Sequence, residues 1–222
     1  CRSKRAIDLT PTLTPKFPMT NPGRNTGEHR QVYLKIDFLY SDYLDMHHHG
    51  HMMDSMAGTH LVPPSYALGA SDTPTQDSPE VRLWLDEYEK KFGKRAQSDL
   101  TTERVPIEWT CGDVRVIDVR SLVGSTERAA WPASPQITSA MIESYEKETG
   151  PLVSGQVVVL YTGVIDRYLK MPADAQGNFG SGLWTDAYSR KTEGWPALGA
   201  EAVDYLSKKG IRCVATDAPD LG

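Results

Sequence analysis

The histidines are the residues of this sequence whose type and spacing could do chemistry. Five of the six lie between His47 and His60, in the segment DMHHHGHMMDSMAGTH, and the sixth is His29. Imidazole titrates near neutral pH and is a common ligand of transition metals. The cluster therefore predicts a metal site or a proton-transfer site in this part of the chain.

The histidines of this cluster are not equivalent. The run His47–His49 is interpreted as part of a solvated polar loop, because consecutive residues of an extended segment alternate faces and cannot all reach one ion. His51, Asp54 and His60 offer two imidazoles and a carboxylate, an adequate set for Zn²⁺ or Mn²⁺ if the loop folds back. The alternative is that His60 is a hydrogen-bonded structural histidine and that Asp54 caps nearby backbone.

The segment 56–66, MAGTHLVPPSY, resembles the H-x-G-T-H-x-D-x-P-x-H signature of the cyclase and kynurenine formamidase-like hydrolases. Members of that family hydrolyse amide-type bonds, such as that of N-formylkynurenine, and the signature directs two histidines and a carboxylate at one divalent ion. The matching positions are Gly58, Thr59, His60 and Pro64. The resemblance implies a divergent metal-dependent hydrolase in which His60 is a ligand and metal-activated water attacks an amide, formamide, or cyclic amide or ester.

Three positions depart from the signature. Met56 replaces the first histidine, Val62 the aspartate and Tyr66 the last histidine. A thioether or a valine cannot supply the donor that a Zn²⁺ or Mn²⁺ hydrolase requires. Tyr66 could instead donate a hydrogen bond to a substrate carbonyl, or pack as an ordinary aromatic residue. The second hypothesis is therefore a catalytically inactive member of the family that binds a ligand or serves as a structural subunit.

The resemblance continues in the same order along the chain, over the segments 6–10, 112–122, 157–163 and 195–219. It implies one cyclase-like domain over residues 1–222, with an irregular lead-in over 1–30, and assembly into dimers or tetramers. Relatives continue beyond the D-x-P element with a further histidine and glutamate. Since the sequence stops at Gly222, that part of the family domain is expected to be missing.

Hydrophobic periodicity predicts the elements that must position these residues. The run QVYLKIDFLY over 31–40 alternates as a half-buried strand does. Further strands are predicted at 114–119, 157–161 and 211–216, and helices at 79–92, 138–149 and 199–206. Strand, helix and strand over 157–216 suggest parallel pairing with a right-handed crossover. The predicted fold class is α/β, a mixed sheet with flanking helices.

Three further residues are candidates for substrate binding. Asp217 follows the last predicted strand, where pockets of α/β sheets gather, although Asp-x-Pro is also an ordinary turn. Trp184 and Trp195 would line a hydrophobic pocket or plug the edge of the core. The sequence has no G-x-S-x-G elbow, phosphate loop or Rossmann glycine pattern, so it does not support a serine-hydrolase, nucleotide or dinucleotide function.

Composition excludes several other classes. The formal charge of −5 gives no field that would attract nucleic acid, and no apolar run is long enough for a membrane helix. The three cysteines, Cys1, Cys111 and Cys213, form neither a disulfide framework nor a metal knuckle. We expect a soluble, cytoplasmic protein with a small-molecule substrate, or an exported, lipid-anchored protein if Cys1 is a processed N-terminus.

Overall fold

A computed structural model describes residues 9–10, 33–40, 46–53, 58–66, 79–95, 98–126, 133–168 and 192–221. The chain divides into two compact units, one of residues 1–61 with 168–188 and the other of residues 62–167 with 189–222. The α/β fold class is confirmed, since parallel strands alternate with helices in the second unit. The assignment of all 222 residues to one domain stays a prediction.

A two-stranded antiparallel sheet lies in the first unit. Strand β1 (Tyr33–Tyr40) pairs with β2 (Met46–Met53), in a register that places Tyr33 opposite Met53 and Tyr40 opposite Met46. The strand predicted at 31–40 is therefore confirmed over 33–40. The polar-loop interpretation of His47–His49 is wrong, because β1 supplies a complete backbone partner for this histidine-rich segment.

Three parallel strands form the main sheet of the second unit. These are β3 (Val114–Asp118), β5 (Val157–Tyr161) and β7 (Cys213–Thr216), in the spatial order β3–β5–β7. Two short strands, β4 (Gln136–Ile137) and β6 (Ala197–Leu198), form a second parallel pair. The described helices are α1 (Pro79–Phe92), α2 (Ser139–Thr149), α3 (Val164–Tyr168) and α4 (Ala200–Lys208). The predicted parallel pairing of 157–161 with the last strand is confirmed.

The core of this unit lies between the sheet and the helices α2 and α4. Strands β3 and β5 contribute alternate apolar side chains, and each helix contributes its apolar stripe. The buried residues that form this cluster are Ile117, Val119, Ile137, Ile142, Leu152, Val158, Leu160, Ala202, Leu206 and Ile211. The cluster fixes the sheet, so the carboxyl ends of its strands occupy defined positions.

Specific residues fix both ends of helix α2. The Thr138 hydroxyl accepts a hydrogen bond from the Met141 N–H at its start, and Gly150, with φ 91°, ends it. Arg115 of β3 then donates to the carbonyl oxygens of Thr149, Gly150 and Pro151. A cation at the carboxyl end of a helix satisfies carbonyl groups that have no partner within the helix. These contacts attach α2 to the edge of the sheet.

Glu146 joins α2 to α4 through a buried carboxylate. It accepts hydrogen bonds from the Leu152 N–H at 2.6 Å, from Lys209 Nζ at 2.9 Å and from the Tyr205 hydroxyl. Burial raises the pKa of Glu146, but the hydrogen bonds from Tyr205, Lys209 and the Leu152 backbone outweigh it and hold the pKa below its ordinary value of 4.5. A carboxyl whose pKa is lowered by folding stabilises the protein in its ionised form.

Replacing Glu146 by glutamine is expected to lower the free energy of unfolding by about 1–3 kcal/mol near neutral pH, because a charged acceptor with three donors is lost. The stabilisation by Glu146 is present above the unfolded-state pKa and is lost as the pH falls through the lower folded-state pKa. The difference between wild type and Glu146→Gln should therefore shrink below the ordinary pKa of 4.5. Urea unfolding at a series of pH values measures this, and a difference that stays constant with pH would contradict it.

Candidate functional site

The segment around His60 forms a tight bend in the first unit. Gly58 has φ 68°, a conformation that residues with a side chain rarely adopt. His60 is exposed, and its Nδ1 lies 2.8 Å from the Gly58 carbonyl oxygen. Because a carbonyl oxygen only accepts hydrogen bonds, Nδ1 carries a proton, and in the neutral form of the ring Nε2 keeps its lone pair. The bend thus presents an imidazole nitrogen that can bind a metal or accept a proton.

Thr59 is held in the same bend by Thr10, whose hydroxyl donates to the Thr59 hydroxyl at 3.2 Å. Of the proposed partners of His60, His51 lies in β2, where its backbone pairs with Lys35. Asp54 lies outside the described residues, as do Met56 and Trp184. Among the residues that the structure describes, no three His, Cys, Asp or Glu side chains form a group that could hold a metal ion. The set of His51, Asp54 and His60 stays a prediction.

The two departures from the signature that the structure describes lie in the second unit, on exposed chain. The Val62 side chain, at the position of the family's aspartate, is 48% exposed. Tyr66 is 63% exposed and ends a short 3₁₀ turn closed by its N–H, which donates to the Pro63 carbonyl. The neighbouring Ser65 lines an open polar cleft of about 470 Å³, together with Ser98, Asp99, Thr101, Glu103 and Arg104. Tyr66 is therefore exposed and does not pack in a core. Its catalytic role stays a prediction.

Charged and hydroxyl-bearing residues gather at the carboxyl end of the β3–β5–β7 sheet. Arg120 donates to both carboxylate oxygens of Asp118 and lies over the Tyr161 ring, 4.8 Å from its centroid. The hydrogen bonds from Arg120 lower the pKa of Asp118. The Tyr161 hydroxyl donates to Asp166, and this bond, with smaller contributions that include the charge of Asp217, raises the pKa of Tyr161. The carboxyl end of the sheet therefore carries two polar pairs, Asp118 with Arg120 and Tyr161 with Asp166, whose members are hydrogen-bonded to each other.

Asp217 directly follows β7 and lies at the same carboxyl end of the sheet. Its Oδ1 accepts from the Thr162 N–H at 2.6 Å and from the Thr162 hydroxyl at 2.7 Å. Its Oδ2 is buried and has no hydrogen-bond partner among the described residues. Leaving a buried acceptor without a donor costs about 1–3 kcal/mol, so such an atom requires an explanation. Asp217, the predicted substrate-binding residue, thus lies at the carboxyl end of a parallel sheet, where α/β proteins commonly bind ligands.

Trp195, the other described candidate for substrate binding, lies at the edge of the core. Its side chain is buried, and its indole N–H donates to Asp220 Oδ1 at 2.7 Å. Pro196 beside it is also fully buried. This placement is the one expected of a residue that packs the edge of the core. Its role in substrate binding stays a prediction.

Comparison with protein families identifies the chain. The family model described as "Putative cyclase" matches residues 7–222, almost the whole sequence. The chain belongs to the cyclase family. The match spans the segment around His60, both described sheets of the second unit and the Asp217 turn, which confirms the family resemblance. A search of curated proteins found no match.

Several solved structures share the fold. Isatin hydrolase A from Labrenzia aggregata, bound to benzyl benzoate, superposes with a TM-score of 0.60 at 21% identity, over 97% of this chain and 68% of that one. Isatin hydrolase A from Ralstonia solanacearum gives a TM-score of 0.58 at 18% identity, over 98% and 68%. A protein described as a novel cyclase gives 0.62 at 14% identity, over 99% and 66%. The chain spans about two thirds of the length of these structures. None of its described helices is long and apolar enough to cross a membrane.

Sequence reasoning missed most of the sheet-edge cluster. Arg120, Tyr161, Thr162 and Asp166 were not singled out, although each lies at or just after the end of a predicted strand. The signal that could have found them is position, because the residues that follow parallel strands meet at one edge of a sheet. Finding them also required the order of the strands in the sheet, which cannot be read from the sequence.

Proposed function

We propose that this member of the cyclase family is a hydrolase that opens an amide, formamide, or cyclic amide or ester bond of a small molecule. The observation that carries the proposal is the bend at His60, where the 2.8 Å bond from Nδ1 to the Gly58 carbonyl leaves Nε2 as the acting nitrogen. In the reaction, the water oxygen adds to the carbonyl carbon and the C–N or C–O bond opens. The leaving atom takes a proton, and the new product group is a carboxylate.

The Gly58 carbonyl has a definite part in this proposal. It fixes the tautomer of His60 and orients the ring, in the way that backbone carbonyls commonly orient metal-binding or basic histidines. Since the ring is exposed, Nε2 is accessible to a ligand or to water. A histidine whose Nδ1 is bonded to the backbone and whose Nε2 is accessible is suited to such a function.

The family's own metal arrangement does not fit this chain at Met56, Val62 and Tyr66, which are not the ligands that the signature requires. The donors that do fit by their chemistry are His60, His51 and Asp54, and these residues would hold a divalent ion in the metal-dependent form of the proposal. When bound, Zn²⁺ or Mn²⁺ supplies an activated water at neutral pH. Small-molecule binding and self-association into dimers or tetramers belong to the same proposal.

A second function is favoured by one observation: the exposed Val62 and Tyr66 occupy two ligand positions of the signature. A protein without those ligands would be a catalytically inactive member of the family that binds a ligand or serves as a structural subunit. The two functions differ in whether the purified protein turns over substrate. They are therefore separable by a direct assay.

The test combines metal content with turnover. Tag-free protein and its His60→Ala variant are analysed by elemental mass spectrometry, and hydrolysis of isatin and N-formylkynurenine is followed by absorbance. We expect bound zinc or manganese in the wild type that is lost in the variant, together with turnover of at least one substrate. Absence of metal from both folded proteins would contradict the metal-dependent form. Turnover of neither substrate by metal-loaded protein would favour the inactive member.

A further inference from the structure

Three of the clustered histidines share one face of the antiparallel pair β1–β2. His47, His49 and His51 occupy alternate positions of β2, and alternate residues of a strand lie on the same face. Neighbouring members of this set are about 6.6 Å apart along the strand. The backbone register alone fixes these positions. The side chains of β1 and β2 are outside the part of the chain in which no group of three ligands was found.

The partner strand adds one carboxylate to the same face. Asp37 pairs with His49, and directly opposite residues of an antiparallel pair lie on one face with Cα atoms about 4.5–5.5 Å apart. The diagonal neighbours of Asp37 are His47 and His51, each about 7–8 Å away. Two imidazoles and a carboxylate are ligands that Zn²⁺ takes in proteins, with water in the fourth position. The register therefore brings a ligand set for zinc onto one face.

The residues opposite the two outer histidines distinguish them. Lys35 is opposite His51, and an ammonium group repels a divalent cation. Leu39 is opposite His47 and carries no charge. His47 and His51 are four positions apart, about 13 Å, which is too far for both to bind one tetrahedral ion. The register therefore favours His47 over His51 as the partner of the central histidine.

The other face of the pair is mainly apolar. His48 lies on that face, together with the apolar residues Leu34, Ile36, Phe38, Met46 and Met52. This division is typical of antiparallel sheets that pack one face on a core and keep the polar face in water. The pattern therefore indicates that the face with the three alternate histidines is the one that an ion from solution can reach.

We propose that His47, His49 and Asp37 form a zinc site on the β1–β2 pair. The site uses neither His60 nor His51, so it does not rest on the proposed function and does not compete for its ligands. Both strands contribute a ligand, so a bound ion joins β1 to β2. Zinc held here is present in the wild type and in His60→Ala alike, so the difference between these two proteins still reports the hydrolase site.

The test is a zinc titration of the tag-free His60→Ala protein, the parent protein here, in which an ion at the proposed hydrolase site no longer contributes. The parent protein is treated with chelator and titrated with zinc by isothermal titration calorimetry. We expect it to bind one zinc ion. Adding His49→Ala should weaken binding at least about tenfold, because even the loss of an outer-shell partner of a metal ligand has an effect of that size. Zinc should also raise the Tm of the parent protein and not that of the His49→Ala variant.

His51→Ala and His48→Ala are the matched controls, since they make the same substitution on the same strand. The first removes the outer histidine that the register disfavours, and the second removes a histidine of the other face. Both should bind zinc as the parent protein does, whereas Asp37→Asn should lose affinity as His49→Ala does. No zinc binding by the folded parent protein, equal loss in His48→Ala, or loss in His51→Ala with none in His47→Ala would each overturn the site. Failure of the proposed function appears separately, as wild-type protein without turnover, because the titration measures no hydrolysis.

Discussion

The His60→Asn variant is expected to lose about 100- to 10,000-fold in kcat/KM for the hydrolysis of a cyclic amide or formamide substrate, the range usual for removal of a group that acts on the reacting water. Asparagine is shorter than histidine, but its side-chain NH₂ can still donate to the Gly58 carbonyl. It has no counterpart of Nε2. The substitution therefore keeps the hydrogen bond to Gly58 and removes the nitrogen that the proposed function requires, so the effects of the two features can be told apart.

The comparison is made with His60→Ala, which removes both features, and with Thr59→Ala, which changes the same bend without touching the imidazole. If Nε2 acts, the Asn and Ala variants lose activity together and Thr59→Ala keeps most of it. Steady-state kinetics and circular dichroism are measured on all three variants. Wild-type activity in His60→Asn would show that only the hydrogen bond to Gly58 matters, and the assignment of His60 as a metal ligand or base would then be wrong.

The second unit was largely predictable from the sequence because its elements carry strong local signals. The strand at 157–161 is almost unbroken apolar sequence, and the structure gives β5 these bounds. Helix α1 runs from Pro79 to Phe92 as predicted and ends at Gly93, whose φ is 95°. The last strand begins at Cys213, two residues later than predicted, because Ile211 and Arg212 form an irregular connection after the turn that follows α4, and the Ile211 N–H donates to the Leu206 carbonyl instead of to a strand. Element boundaries depend on such turns and are therefore predicted less well than the elements.

The candidate site was predictable only in part. The resemblance located His60 and Asp217, since both lie in motifs that can be read along the chain. It did not indicate that Asp217 would bind Thr162 or that Arg120 would lie on Tyr161, because those contacts depend on β3, β5 and β7 being neighbours in that order. The polar loop at His47–His49 was predicted wrongly because its strand partner, β1, is outside the segment and decides the conformation.

Thr162→Val is expected to lower the free energy of unfolding by about 2–4 kcal/mol, a large effect for a substitution that preserves shape. Thr162 is fully buried, so valine fills the same volume. Its hydroxyl donates to Asp217 Oδ1 and accepts from the Val164 N–H, and valine can do neither. The substitution leaves Asp217 with one donor instead of two and leaves a buried N–H without an acceptor.

Urea unfolding of the variant, with Thr162→Ser as control, measures this effect. Serine keeps the hydroxyl and loses one methyl group, so it should cost about 1 kcal/mol. Adding Asp217→Ala, which removes the acceptor, to Thr162→Val gives a double-mutant cycle. Its coupling energy should exceed about 0.5 kcal/mol, because the two residues share a hydrogen bond. If Thr162→Val were as stable as Thr162→Ser, the hydroxyl would not hold Asp217. The fixed position of the Asp217 carboxylate would then have no structural basis.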